Sequence, residues 1–112
     1  MPYQLVFSPV FKITLKRLCN FLARKYSQNL ASKTRLTVQK DIQEKLLIDP
    51  FIGPVCDRLL DLGVPGYRQL IVDKHNLVLY KVDEVHQKVI ILLVFDSRQS
   101  IEKLLSDVLN AG

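Results

Sequence analysis

At 112 residues, with 48% hydrophobic and 24% charged side chains, the chain has the make-up of one folded domain, residues 1–112, with a core but no room for a second unit. No apolar run approaches the ~20 residues needed to span a bilayer, and Met1-Pro-Tyr-Gln4 lacks the basic-then-apolar layout of a signal peptide, so a cytoplasmic chain without a membrane partner is expected. The net charge of +5 is unevenly placed: residues 1–40 carry eight basic side chains and no acid, while the remaining residues sum to −3.

Tyr3-Gln-Leu-Val-Phe7 alternates as a first strand should, with Tyr3, Leu5 and Phe7 on one face. Ser8-Pro9 then starts a helix: the serine oxygen can cap free N–H groups, and proline at the first helical position loses nothing. Phe11, Leu15, Leu18, Leu22 and Tyr26 form one apolar stripe, with Lys12, Lys16, Arg17 and Arg24 mostly off it. Ser27-Gln-Asn29 breaks the pattern. A second helix is predicted from about Asn29 to Leu47, with Ala31, Val38, Ile42 and Leu46 inward, and the short link makes an antiparallel hairpin of the two. Its basic surface, which also includes Lys25, Lys33, Arg35 and Lys40, can steer the protein toward nucleic acid or an acidic polypeptide, or serve simply as a solvated face.

Asp49-Pro50 ends the second helix. Residues 50–66 read as an irregular connection, in which residues 55–62 fit a short helical turn or a strand equally well. Three β-rich runs follow between residues 67 and 98, separated by polar clusters at Asp73–Asn76 and Asp83–Lys88, which is the pattern of an antiparallel meander. Val89–Phe95 is apolar on both faces and belongs inside the sheet. Ser100 can cap a terminal helix over Ile101–Leu109. The expected fold is α+β: a small antiparallel sheet of about four strands under an N-terminal helical hairpin, in the order β-α-α-β-β-β-α.

Cys19 and Cys56 have no metal-ligand spacing and read as small buried hydrophobes. His75 and His86 fall in turn segments with a strand between them. No metal cluster can be assembled from these residues, and no cofactor is expected.

With these elements in place, the chain resembles the RelE/ParE superfamily of bacterial toxins. The resemblance runs through Phe7-Ser-Pro9, the helical hairpin and Asp49-Pro-Phe-Ile-Gly-Pro54. It is carried most specifically by Pro65-Gly-Tyr-Arg-Gln-Leu70, Leu79-Tyr-Lys-Val-Asp83 and Ile90-Ile-Leu-Leu-Val-Phe-Asp-Ser-Arg98. It implies the toxin of a type II toxin–antitoxin pair, with a cognate antitoxin as partner. RelE-like members cleave messenger RNA on the ribosome; ParE-like members poison DNA gyrase.

RNA scission by a 2′-hydroxyl needs a proton acceptor, cations for the phosphate and a proton donor for the leaving oxygen. RelE-like enzymes are implied to meet these needs with Lys and Arg on the sheet and a C-terminal Tyr or His. Laid on that pattern without a gap, Arg68 takes the place of the first lysine, Leu70 the second and Leu77 the sheet arginine, while Ser97 or Arg98 falls near another arginine. No Tyr or His follows residue 86. The ending Asp96-Ser-Arg-Gln99 is more ParE-like. The resemblance therefore favours gyrase as the target, with Arg68, Lys74 and Arg98 as target-binding residues. The alternative is a ribosome-dependent nuclease acting on messenger RNA through Arg68, Arg98 and His75; a third reading is an inactive relative that only binds its antitoxin. Arg68 and Arg98 are expected at one edge of the sheet if register allows, or else paired with carboxylates, Arg98 with Asp96 and Arg68 with Asp57 or Asp61.

Overall fold

Ser8 caps the first helix as its position before Pro9 predicts, and it also fastens that helix to the sheet. Its Oγ accepts from the Phe11 N–H at 3.0 Å and donates to the Leu92 carbonyl at 2.7 Å. In the computed structural model, which describes residues 3–97 and 99–110 (the helix alone for 107–110), this serine joins β1 (Gln4–Phe7) to α1 (Pro9–Lys25). Then come α2 (Gln28–Ile48), a short α3 (Asp57–Asp61), the strands β2 (Arg68–Val72), β3 (Asn76–Asp83) and β4 (Lys88–Asp96), and α4 (Ile101–Asn110).

The helical hairpin is as expected. Phe11, Leu15, Leu18 and Leu22 of α1 and Ala31, Val38, Ile42 and Leu46 of α2 are buried, joined by Thr14 and Thr34 on the same stripes. Tyr26 leaves its expected stripe because it is the C-cap of α1, where the backbone turns out of the helix, and it is half exposed. Thr14 spends its hydroxyl twice, donating to the Phe11 carbonyl at 3.0 Å and accepting from the Val94 N–H at 3.1 Å. A buried hydroxyl needs such partners, and here they pin α1 to β4.

The sheet runs β1-β4-β3-β2, with β4 inside it as its two apolar faces predict. The meander is antiparallel, but β1 lies parallel to β4, Gln4 opposite Lys88 through Phe7 opposite Ile91, so the sheet is mixed rather than wholly antiparallel. Parallel neighbours need a long connection, and everything between β1 and β4 supplies it. A register shift between Leu79 and Tyr80 leaves Leu92 without an opposite residue in β3. This bulge reverses the alternation of β4: Val89 and Ile91 face the helical hairpin before it, Val94 after it.

A second layer lies on the opposite face. Cys56 and Leu59 around α3, with Ile101 and Leu104 of α4, bury Leu77, Leu79, Leu93 and Phe95. Residues 55–62 therefore supply both of the elements they suggested, the α3 turn and a bridge from Val55 to Arg68. Hydrogen bonds from the Cys56 N–H to the Tyr67 carbonyl (2.9 Å) and from the Gln69 N–H to the Pro54 carbonyl (2.9 Å) cover the start of the free edge of β2. Cys19 is half-buried and Cys56 buried; both are free thiols.

Candidate functional site: the sheet arginine, the hairpin turn and the basic helices

Arg68, the first cation singled out, is turned toward its own protein. Its guanidinium donates to the Gly53 carbonyl at 2.7 Å and the Phe51 carbonyl at 3.4 Å, and lies 5.1 Å from the centre of the Phe51 ring. Opposite it in the ladder is Tyr80, whose buried hydroxyl accepts the Gly53 N–H at 2.9 Å. Asp49 shapes the loop by accepting the Phe51 N–H at 3.0 Å. Three of the sequence blocks that carry the resemblance thus meet in one knot: residues 49–54 are held on the sheet by Arg68 and Tyr80. Arg68 pairs with loop carbonyls, and no ion pair to Asp57 or Asp61 is seen among the described residues.

Burial pushes the Tyr80 phenol above its ordinary pKa of 10.0, while the Gly53 N–H and the Arg68 charge pull it down. A folded-state pKa above the unfolded one means that the folded protein holds the proton more tightly. The contribution is whole below the unfolded value and is lost as pH rises through the folded one. Wild type should therefore lose stability from about pH 10 upward relative to Tyr80→Phe, as read by denaturant midpoints across that range. At neutral pH the same variant should be less stable than wild type by about 1–3 kcal/mol, because the Gly53 N–H loses its acceptor. Parallel alkaline curves for the two proteins would contradict this.

Two further positions of the nuclease pattern, Leu70 and Leu77, hold no charge and do not share a face. Leu70 is 7% exposed beneath the helical hairpin, whereas Leu77 is 8% exposed in the opposite layer with α3 and α4.

Lys74 and His75 lie in the β2–β3 turn, both exposed. Asp73 and Lys74 take φ of 49° and 64°, left-handed backbone that helps reverse the chain within the three residues between the paired Val72 and Asn76. The Ser97 N–H donates to the His75 carbonyl at 2.7 Å, which stitches this turn to the end of β4. Arg98 lies outside the described residues. Arg68 is level with Tyr80 and Ile91, whereas Asp96 is level with Asn76 and Val72. The end of β4 thus lies at the far end of β2 from Arg68, four residues or about 13 Å along the strand, and register does not bring the two ends together. His86 is a turn histidine as expected, its Nδ1 2.9 Å from an Asp83 carboxylate oxygen. That contact holds the Asp83 carboxyl below its ordinary pKa. Among the described residues, no group of three His, Cys, Asp or Glu is placed to hold a metal ion.

The basic segment of the sequence becomes a surface. All eight of its cations are exposed on α1 and α2. Two of them, Arg17 and Arg24, line a groove of about 500 Å³ between α1 and the start of α4, where Lys103 adds a third cation beside Gln99 and Ser100. Sequence reading missed Lys103 because α4 meets α1 only in three dimensions. The groove is open, cationic and large enough to receive an acidic segment of a macromolecule.

No protein-family model matches the sequence, and no curated protein matches it significantly. Solved structures do resemble the fold. The chain is similar to a chain of the toxin–antitoxin complex RelBE2 from Mycobacterium tuberculosis, at 20% identity and TM-score 0.63, over 86% of this chain and 99% of that one. It is similar to a chain of the chromosomal ParDE toxin–antitoxin system from P. aeruginosa, at 15% identity and TM-score 0.67, over 84% and 95%. It also resembles a double arginine-to-alanine mutant of the E. coli toxin RelE in the free state, at 20% identity and TM-score 0.58, over 99% and 98%. The α+β architecture is that of RelE/ParE-like folds. No helix among the described residues is long and apolar enough to cross a membrane.

Proposed function

We propose that the chain is the toxin of a type II toxin–antitoxin pair, held inactive by a cognate antitoxin, and that it acts by binding DNA gyrase rather than by cutting messenger RNA. The fold shared with toxin–antitoxin proteins supports the first part. The observation that carries the second is the state of the sheet. A metal-free RNA-cutting site needs cations facing the scissile phosphate, yet Leu70 and Leu77 are packed into opposite layers and Arg68 is tied to the 49–54 loop. A positioned acid or base contributes about 10²–10⁴-fold to such a reaction, and neither Tyr nor His follows residue 86 to supply it. Binding chemistry, by contrast, is well provided: eight exposed cations on the helical hairpin set up a positive field.

Expression without an antitoxin tests the reading in cells. Induction of the DNA-damage response before protein synthesis slows is the expected result. Arrest of translation with cut messages would favour the ribosome. Unimpaired growth at full expression would mean an inert relative that only binds its antitoxin.

A further inference from the structure

At the end of the sheet away from Arg68, under the tip of the helical hairpin, lies a pocket of about 250 Å³ that neither proposed mechanism uses. This is below the about 300–1,000 Å³ of sites for drug-sized ligands, and suits one long side chain. Two polar groups in it are unusual. Thr34, on the buried stripe of α2, is 3% exposed, and Asn76, on the inward face of β3, is 4% exposed. Neither side chain has a hydrogen-bond partner among the described residues, yet no buried side-chain N or O atom there is unsatisfied. Both conditions hold only if the little exposure that Thr34 and Asn76 keep lies at their polar atoms, directed into the pocket. Polar atoms placed this way bond either to water in the pocket or to a ligand that displaces it.

The rest of the lining tells what the occupant should be. The exposed Asp73 lines the pocket with His75 beside it in the turn, and Leu22 and Leu30 line its apolar part. A polar end rich in acceptors beside an apolar wall matches a cation on an aliphatic stem. A guanidinium fits best: it is planar, always charged, and carries five N–H donors for acceptors that lie on different elements. The Asp73 carboxylate disfavours a phosphate-bearing occupant, although the chain as a whole is basic.

We propose that this pocket receives the side chain of an arginine from a partner polypeptide, with Thr34, Asn76 and Asp73 as the recognition residues. A chain of net charge +5 repels a generally basic partner, so the arginine comes as an isolated anchor on an acidic or neutral one and sets its register.

The test needs no gyrase, ribosome or antitoxin, so its outcome is independent of the toxin reading. Nα-acetyl-arginine amide is titrated into the ¹⁵N-labelled full chain, following the Asn76 side-chain amide and the Thr34 amide by NMR. Saturable shifts at both are expected, with the uncharged acetyl-citrulline amide at least about tenfold weaker. Thr34→Val and Asn76→Ala should each weaken the arginine probe by about tenfold. Equal shifts with citrulline, or none with arginine up to its solubility, would overturn the proposal. So would binding that appears only in Arg98→Ala, since the occupant would then belong to the chain itself. A nucleoside monophosphate shifting both groups more strongly than the arginine probe would also overturn it.

Discussion

Gly53→Ala should be less stable than wild type by about 3 kcal/mol, with a melting temperature lower by on the order of 10–20 °C. A Cβ built at this position would sit 2.3 Å from the Gln69 carbonyl oxygen and 2.8 Å from the Tyr80 hydroxyl. The carbonyl is ladder backbone and the tyrosine is fully buried, so neither can move aside cheaply. The loop must lift instead, which breaks the 2.9 Å bond from the Gly53 N–H to Tyr80 and loosens the carbonyl held by Arg68. Overpacking costs about 1–3 kcal/mol and the lost buried hydrogen bond about a further 1 kcal/mol. Set against a stability of about 5–15 kcal/mol for a domain, that loss is large. Gly63→Ala is a useful comparison, because a Cβ there meets nothing within 4 Å and its cost comes from a φ of 81° alone. An unchanged melting temperature for Gly53→Ala would mean that the loop is not held where it is described.

Reversing charge in the α1–α4 groove should have the largest effect on toxicity. Arg24→Glu combined with Lys103→Glu should raise the concentration needed to inhibit the target by about tenfold or more at low salt, with less difference at high salt. Both residues are exposed, so the melting temperature should stay within a few degrees of wild type. Reversal of the exposed Lys33 and Lys40 together, two α2 residues that do not line the groove, changes the net charge equally and serves as the control for net charge alone. If the double variant inhibits as well as wild type at every salt concentration, the groove does not meet the target.

How far the fold could be read in advance follows from where its determinants lie. The Ser8-Pro9 cap, the period of the Phe11–Leu22 stripe and the doubly apolar Val89–Phe95 run are local signals, and the corresponding elements form as expected. The parallel pairing of β1 is not local, since nothing in Gln4–Phe7 records which way its neighbour runs. The bulge at Leu92 was hidden because a strand apolar on both faces shows no break in alternation when its register slips.

The site was less legible. Arg68 looked like a phosphate contact by position, and only the structure shows its guanidinium on the Gly53 and Phe51 carbonyls. Main-chain carbonyls have no signature in a sequence. Thr34 and Asn76 did leave a signal: each is a polar residue at the inward position of an otherwise apolar face. A polar residue in such a place asks for a partner, and that question points to the pocket.

The proposed function is harm by binding gyrase and not by cutting RNA. Purified protein added side by side to a gyrase supercoiling reaction and to a translating ribosome extract tests it most directly. Blocked supercoiling with trapped, cleaved DNA, and messages left whole, is the predicted result. Messages cut at defined codons while supercoiling proceeds untouched would contradict it.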